Sequence, residues 1–127
     1  MLLGRGILFA TALILAVIGI GFLWSPAGWA KSIEVIAETA MARTDIRATY
    51  GGFVLAAGVF LALCGFRIEW LRPGLIACGI IYAGFASGRL LGIVLERQAS
   101  PLMAFFLVVE IFGAALSFYA FSRLDSA

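Results

Sequence analysis

Apolar residues fill four long stretches of the chain, and short polar segments separate them. The first runs from about Gly6 to Trp24 with no charge inside it and Arg5 just ahead. The second opens near Thr44 and continues through Phe53, Val54, Leu55 and Phe60 to Cys64. A third covers Gly74 to Leu95, and a fourth follows Ser100 and Pro101 to about Phe121. A bilayer core about 30 Å thick is crossed by roughly 20 largely apolar helical residues, so the pattern predicts an all-α, four-transmembrane-helix bundle. Its spans lie at about 6–24, 44–64, 74–95 and 101–121 of a single integral membrane domain covering 1–127.

The segment between the first two spans has a different rhythm. Ser25 and Pro26 form a helix start, and Trp29, Ile33, Ile36, Ala37, Ala40 and Met41 recur at helical spacing while Lys31, Glu34 and Glu38 fall on another side. That predicts a short amphipathic helix over 26–41 at the membrane surface, with Trp24 and Trp29 at headgroup depth. An ordinary connector helix is the plainer alternative. Gly28 and Ala30 also meet a small-x-small cleavage pattern, but the apolar stretch before them exceeds the roughly 7 to 15 residues of a signal core. The first stretch is therefore read as a retained helix.

Composition sharpens this picture by exclusion. With 64% hydrophobic and 13% charged residues among 127, and a mean hydropathy of +1.12, the chain is too apolar for a polar coat in water. Nine Lys and Arg against seven Asp and Glu give a net charge of +2 with no basic run, which leaves no footprint for nucleic acid. Histidine is absent, removing the commonest metal ligand and general base. No metal, cofactor or catalytic residue is expected. Cys64 and Cys78 lie in apolar surroundings without a CxxC spacing and read as small buried hydrophobes.

Charge then sets orientation. Arg5, Arg67, Arg72 and Arg123 flank the spans on the side of the termini, against Lys31, Arg43 and Arg97 opposite, a slight positive-inside bias that puts both termini in the cytoplasm. It vanishes if Arg47 is counted as a loop residue.

Three charges remain inside the spans. At a rise of 1.5 Å per residue, Arg47 lies roughly 5 Å deep, Arg89 roughly 9 Å and Glu110 roughly 13 Å. An ionised group facing lipid near the bilayer centre costs at least about 2.5 to 3.5 kcal/mol, so Glu110 is expected to face inward and to pair with Arg89. Tyr50 lies near the same depth, with Thr49 and Ser87 as weaker contributors. Asp45 reaches Arg47 only if the helix is frayed there, because residues two apart share no helix face. Such a cluster either pins the helices together or lines a site. Gly84, Gly88 and Gly92 form a small-xxx-small stripe on the third helix, the spacing that lets helix backbones approach closely in lipid. A contact within the bundle is expected there, with dimerisation as the other reading.

With these residues in view, the chain resembles an uncharacterised class of small bacterial four-helix membrane proteins, a domain of unknown function. The resemblance lies in the run from Arg43 to Gly52, whose Arg43-x-Asp45-x-Arg47-x-x-Tyr50-Gly51-Gly52 string opens the second span, in Gly88-Arg89, and in Glu110. It covers essentially the whole chain and implies a bacterial inner membrane, but no activity. The residues themselves suggest a binding or transport-related protein in which Arg47, Arg89, Glu110 and Tyr50 line an outward-facing pocket for an anionic lipid or small acid. Arginine suits carboxylate and phosphate through its planar fork of donors. The alternative is an accessory subunit docked on a larger membrane complex. An enzyme is disfavoured, since no nucleophile stands beside a base, and a homo-oligomer is left open.

Overall fold

In lipid, backbone amides have no water to bond with, so long apolar stretches satisfy them internally by coiling into helices. A computed structural model describes residues 1–125 of the chain, and among these every long apolar stretch is helical. In chain order the elements are α1 (Leu2–Trp24), α2 (Pro26–Ser32), α3 (Ala40–Ile46), a π-helical turn (Arg47–Phe53), α4 (Val54–Phe66), a 3-10 turn (Ile68–Trp70), α5 (Leu71–Glu96) and α6 (Pro101–Asp125). Four helical segments, Leu2–Trp24, Ala40–Phe66, Ile68–Glu96 and Pro101–Leu124, have the length and apolar composition to cross a membrane. The protein is an all-α, multi-pass membrane protein.

The chain divides into two compact units. The first comprises 9–63. Within it, α1 and the second span approach closely where they lack side chains: a Cβ on Gly19 would sit 2.7 Å from the Leu55 backbone nitrogen, and one on Gly58 3.0 Å from the Ala12 carbonyl oxygen. The polar segment 25–39 departs from the expected single amphipathic helix. α2 ends at Ser32, Glu34 takes a left-handed backbone with φ 63°, and a new helix begins after Thr39, whose hydroxyl accepts the Ala42 amide at 3.0 Å. Ile33, Val35 and Ile36 are β-branched and lose rotamer freedom in a helix, while Thr39 offers a ready cap. The second span consequently starts at Ala40 rather than near Thr44. The break lets Ala30, Ala37 and Ile46 close around Phe22, with Trp29 and Ile33 packed beside them.

The second unit comprises 1–8 and 64–127. Here α5 and α6 run antiparallel: positions late in α5 meet positions early in α6. The Ser117 hydroxyl lies 3.4 Å from Cys78 Sγ and donates to the Gly113 carbonyl. A Cβ on Gly79 would meet the Phe118 ring at 2.8 Å, and one on Gly113 would meet the Tyr82 ring at 2.7 Å. Leu8, Cys64, Leu71 and Leu75 are buried where the first turns of α1 and the start of α5 pack. Pro73 falls in the first turn of α5, where its missing amide costs nothing. Both cysteines are buried, and neither is in a disulfide.

The glycine stripe expected at a helix contact is open. A Cβ on Gly84, Gly88 or Gly92 would meet nothing within 4 Å. Close packing in this unit is permitted instead by Gly4, Gly74, Gly79 and Gly113. Three glycines spaced four apart signal a smooth surface, and smoothness alone does not say which neighbour uses it.

Candidate functional site

Arg89 sits two turns before the end of α5, about 10 Å below its last residue, and Glu110 lies about 13 Å along α6 from its start. Antiparallel packing brings these depths together. The Arg89 guanidinium donates from Nε to Glu110 Oε2 at 2.9 Å and from Nη2 to Oε1 at 2.7 Å. This is a fork of two parallel bonds, the strongest arrangement an arginine and a carboxylate make. Its Cζ also stands 5.2 Å from the centre of the Phe106 ring, one turn before Glu110 on α6, where the ring face attracts a cation. Glu110 is buried, with its side chain 11% exposed against 26% for Arg89. The arginine is thus held from two sides, and its cation is the more open end of the pair.

Beside it lies a cavity of about 350 Å³, lined by Arg89, Gly92, Ile93, Glu96, Gln98 and Met103. The first four recur at i, i+3, i+4 and i+7 on one face of α5, the periodicity of a helix stripe. Gly92 leaves room that any side chain would occupy. The turn from α5 to α6 shapes the mouth: Arg97 adopts a left-handed backbone with φ 54° at the end of α5, and Ser100 Oγ accepts the Met103 amide at 3.2 Å at the start of α6. Pro101 follows that cap in the position it favours. Among the described residues no group of three or more His, Cys, Asp or Glu side chains is placed to hold a metal ion.

The expected site residues divide between the two units. Arg89 and Glu110 are joined directly. Arg47, Tyr50 and Asp45 belong to the unit of residues 9–63, where they have local partners. Arg47 Nε donates to the Leu23 carbonyl at 3.1 Å, placing its charge at the C-terminal end of α1, where the helix dipole favours a cation. The Tyr50 ring packs on Phe22 with centres 5.1 Å apart. The backbone carbonyl of Asp45 accepts the Thr49 hydroxyl, the kind of back-bond that bends helices, and the π-helical turn begins here.

Glu96, Gln98 and Met103 line the cavity without having been singled out from the sequence. Glu96 carried a signal: it is seven residues beyond Arg89, two turns on along the same face. Gln98 and Met103 carried none, because their place depends on how the turn folds back.

A family model described as "Domain of unknown function (DUF4345)" matches residues 3–121. The chain belongs to this family. The match spans all four long helices and both members of the Arg89–Glu110 pair. No curated protein and no solved structure matches the chain.

Proposed function

We propose that this protein is a membrane-embedded binding protein of a bacterial inner membrane, taking the phosphate or carboxylate of a lipid or small acid into the cavity at the α5–α6 turn. The observation that carries this reading is the cavity's wall: a guanidinium fixed by a bidentate carboxylate and an aromatic ring, set beside open space of about 350 Å³. A volume near the lower end of the range for ligand pockets suits a headgroup or small acid. Both termini are proposed to face the cytoplasm, so that the cavity opens toward the outer side and serves capture or movement of its ligand there.

Gly92→Leu tests the proposal without touching the ion pair. A side chain at Gly92 has free room, with nothing within 4 Å of its Cβ, and a leucine there fills the cavity. The variant is expected to keep the melting temperature of the native protein in mild detergent. Mass spectrometry of the purified native protein should detect a copurified anion-bearing lipid or acid that the variant lacks. Equal retention by both proteins, or no such molecule in either, refutes the reading.

A further inference from the structure

The cavity's own charge balance narrows what it holds. Arg89, fixed from behind by its paired bonds to Glu110, and Glu96 are the two charged side chains that line the cavity. The wall therefore carries one positive group, Arg89, and one negative group, Glu96. A ligand that is only anionic meets the arginine but gains nothing at Glu96 and is repelled by it. A ligand with an anionic and a cationic group finds a counter-charge for each.

The cationic group is further specified by what surrounds it. Glu96 and the Gln98 side-chain carbonyl are hydrogen-bond acceptors, which a primary ammonium satisfies with its three N–H groups. Quaternary ammonium groups are instead held by faces of aromatic rings. The six lining residues include no aromatic ring, and the nearby Phe106 ring faces Arg89.

Gly92, on the cavity wall, is followed down α5 by Gly88 and Gly84, none of which has an atom within 4 Å of where a Cβ would stand. This gives a smooth path about 12 Å long running from the cavity along the helix toward the bilayer centre. A mostly apolar recess that carries Arg89, Glu96 and Gln98 in its wall and continues into a smooth track along a membrane-spanning helix fits an amphiphile whose headgroup and chain are joined end to end.

We infer that the cavity receives the headgroup of a zwitterionic phospholipid with a primary ammonium, its phosphate toward Arg89, its ammonium toward Glu96 and Gln98, and one acyl chain along Gly92, Gly88 and Gly84. The inference rests on the cavity being the binding site, as proposed above.

The test uses the purified full chain in detergent, titrated with short-chain phosphatidylethanolamine, phosphatidylglycerol and phosphatidylcholine, with adducts read by native mass spectrometry. The expected order puts phosphatidylethanolamine first. Glu96→Gln, at the exposed end of α5 where the fold is insensitive to it, should lower that affinity about ten-fold, the value of one charge-assisted hydrogen bond. The same change should leave phosphatidylcholine unchanged and favour phosphatidylglycerol. If phosphatidylglycerol binds as well as phosphatidylethanolamine, or Glu96→Gln leaves the selectivity as it was, the ammonium site is overturned while an anion-binding cavity stands. If Gly92→Leu leaves the binding of all three unaltered, the lipids bind elsewhere and both readings fall.

Discussion

Arg89 and Glu110 each lie deep in a span where a lone charge is costly, and each is tolerable because of the other. Breaking such a pair from one side leaves an uncompensated charge in a medium that solvates it poorly. Glu110→Gln alone is therefore expected to cost on the order of 3 kcal/mol, while Arg89→Gln together with Glu110→Gln should cost clearly less than the two single losses combined. Chemical unfolding of the four proteins in one detergent measures this, and additive losses would show that the two side chains act independently. The pairing was legible from depth arithmetic on single residues: both charges fell in one half of the bilayer, and an opposite charge at similar depth offsets such burial. The same arithmetic put Arg47 in that half of the bilayer too, yet its Nε is bonded to the Leu23 carbonyl. Depth places a residue along the membrane normal and leaves its direction around the helix unspecified.

Among the helices, close packing follows local shape more than sequence motif. Gly79 and Gly88 both occur in α5, and the second sits in the more suggestive repeat. Yet a Cβ on Gly79 would press on the Phe118 ring at 2.8 Å, whereas one on Gly88 meets nothing. Gly79→Leu should consequently destabilise the α5–α6 pair by about 1 to 3 kcal/mol, the usual cost of overpacking, and Gly88→Leu should be close to neutral. Thermal denaturation followed by circular dichroism distinguishes them, and the reverse order would contradict the packing described here. The segment 26–41 teaches the same lesson: its apolar residues do recur at helical spacing, but a β-branched run and the Thr39 cap divide it into separate helices. Periodicity reports which residues want a common face. It does not report where the backbone turns to give them one.

At the scale of the whole molecule, large apolar side chains remain exposed along every long helix, among them Leu13 at 66%, Phe53 at 71%, Val94 at 62% and Phe112 at 65%. Lipid covers such surfaces as readily as protein does, so they are the solvent-facing side of a membrane protein. The slight excess of Arg and Lys flanking the spans on the side of the termini predicts that a membrane-impermeant thiol reagent, added to whole cells, labels Lys31→Cys and spares Arg67→Cys. The background is a variant lacking Cys64 and Cys78, and labelling at Arg67→Cys instead would invert the orientation. The number of long apolar helices, their approximate limits and the all-α class were determined by sequence alone, because lipid leaves an apolar stretch of that length one way to bond its backbone, and the sequence also named Arg89 as the partner that a charge at the depth of Glu110 calls for. The position of the break between α2 and α3, the helix contacts made by Gly79 rather than Gly88, and the gathering of Glu96, Gln98 and Met103 around one cavity were decided only by tertiary structure. Each of these depends on the rotation of one helix against another and on the path of a turn, and both are set by the sum of many packing contacts that no local pattern contains.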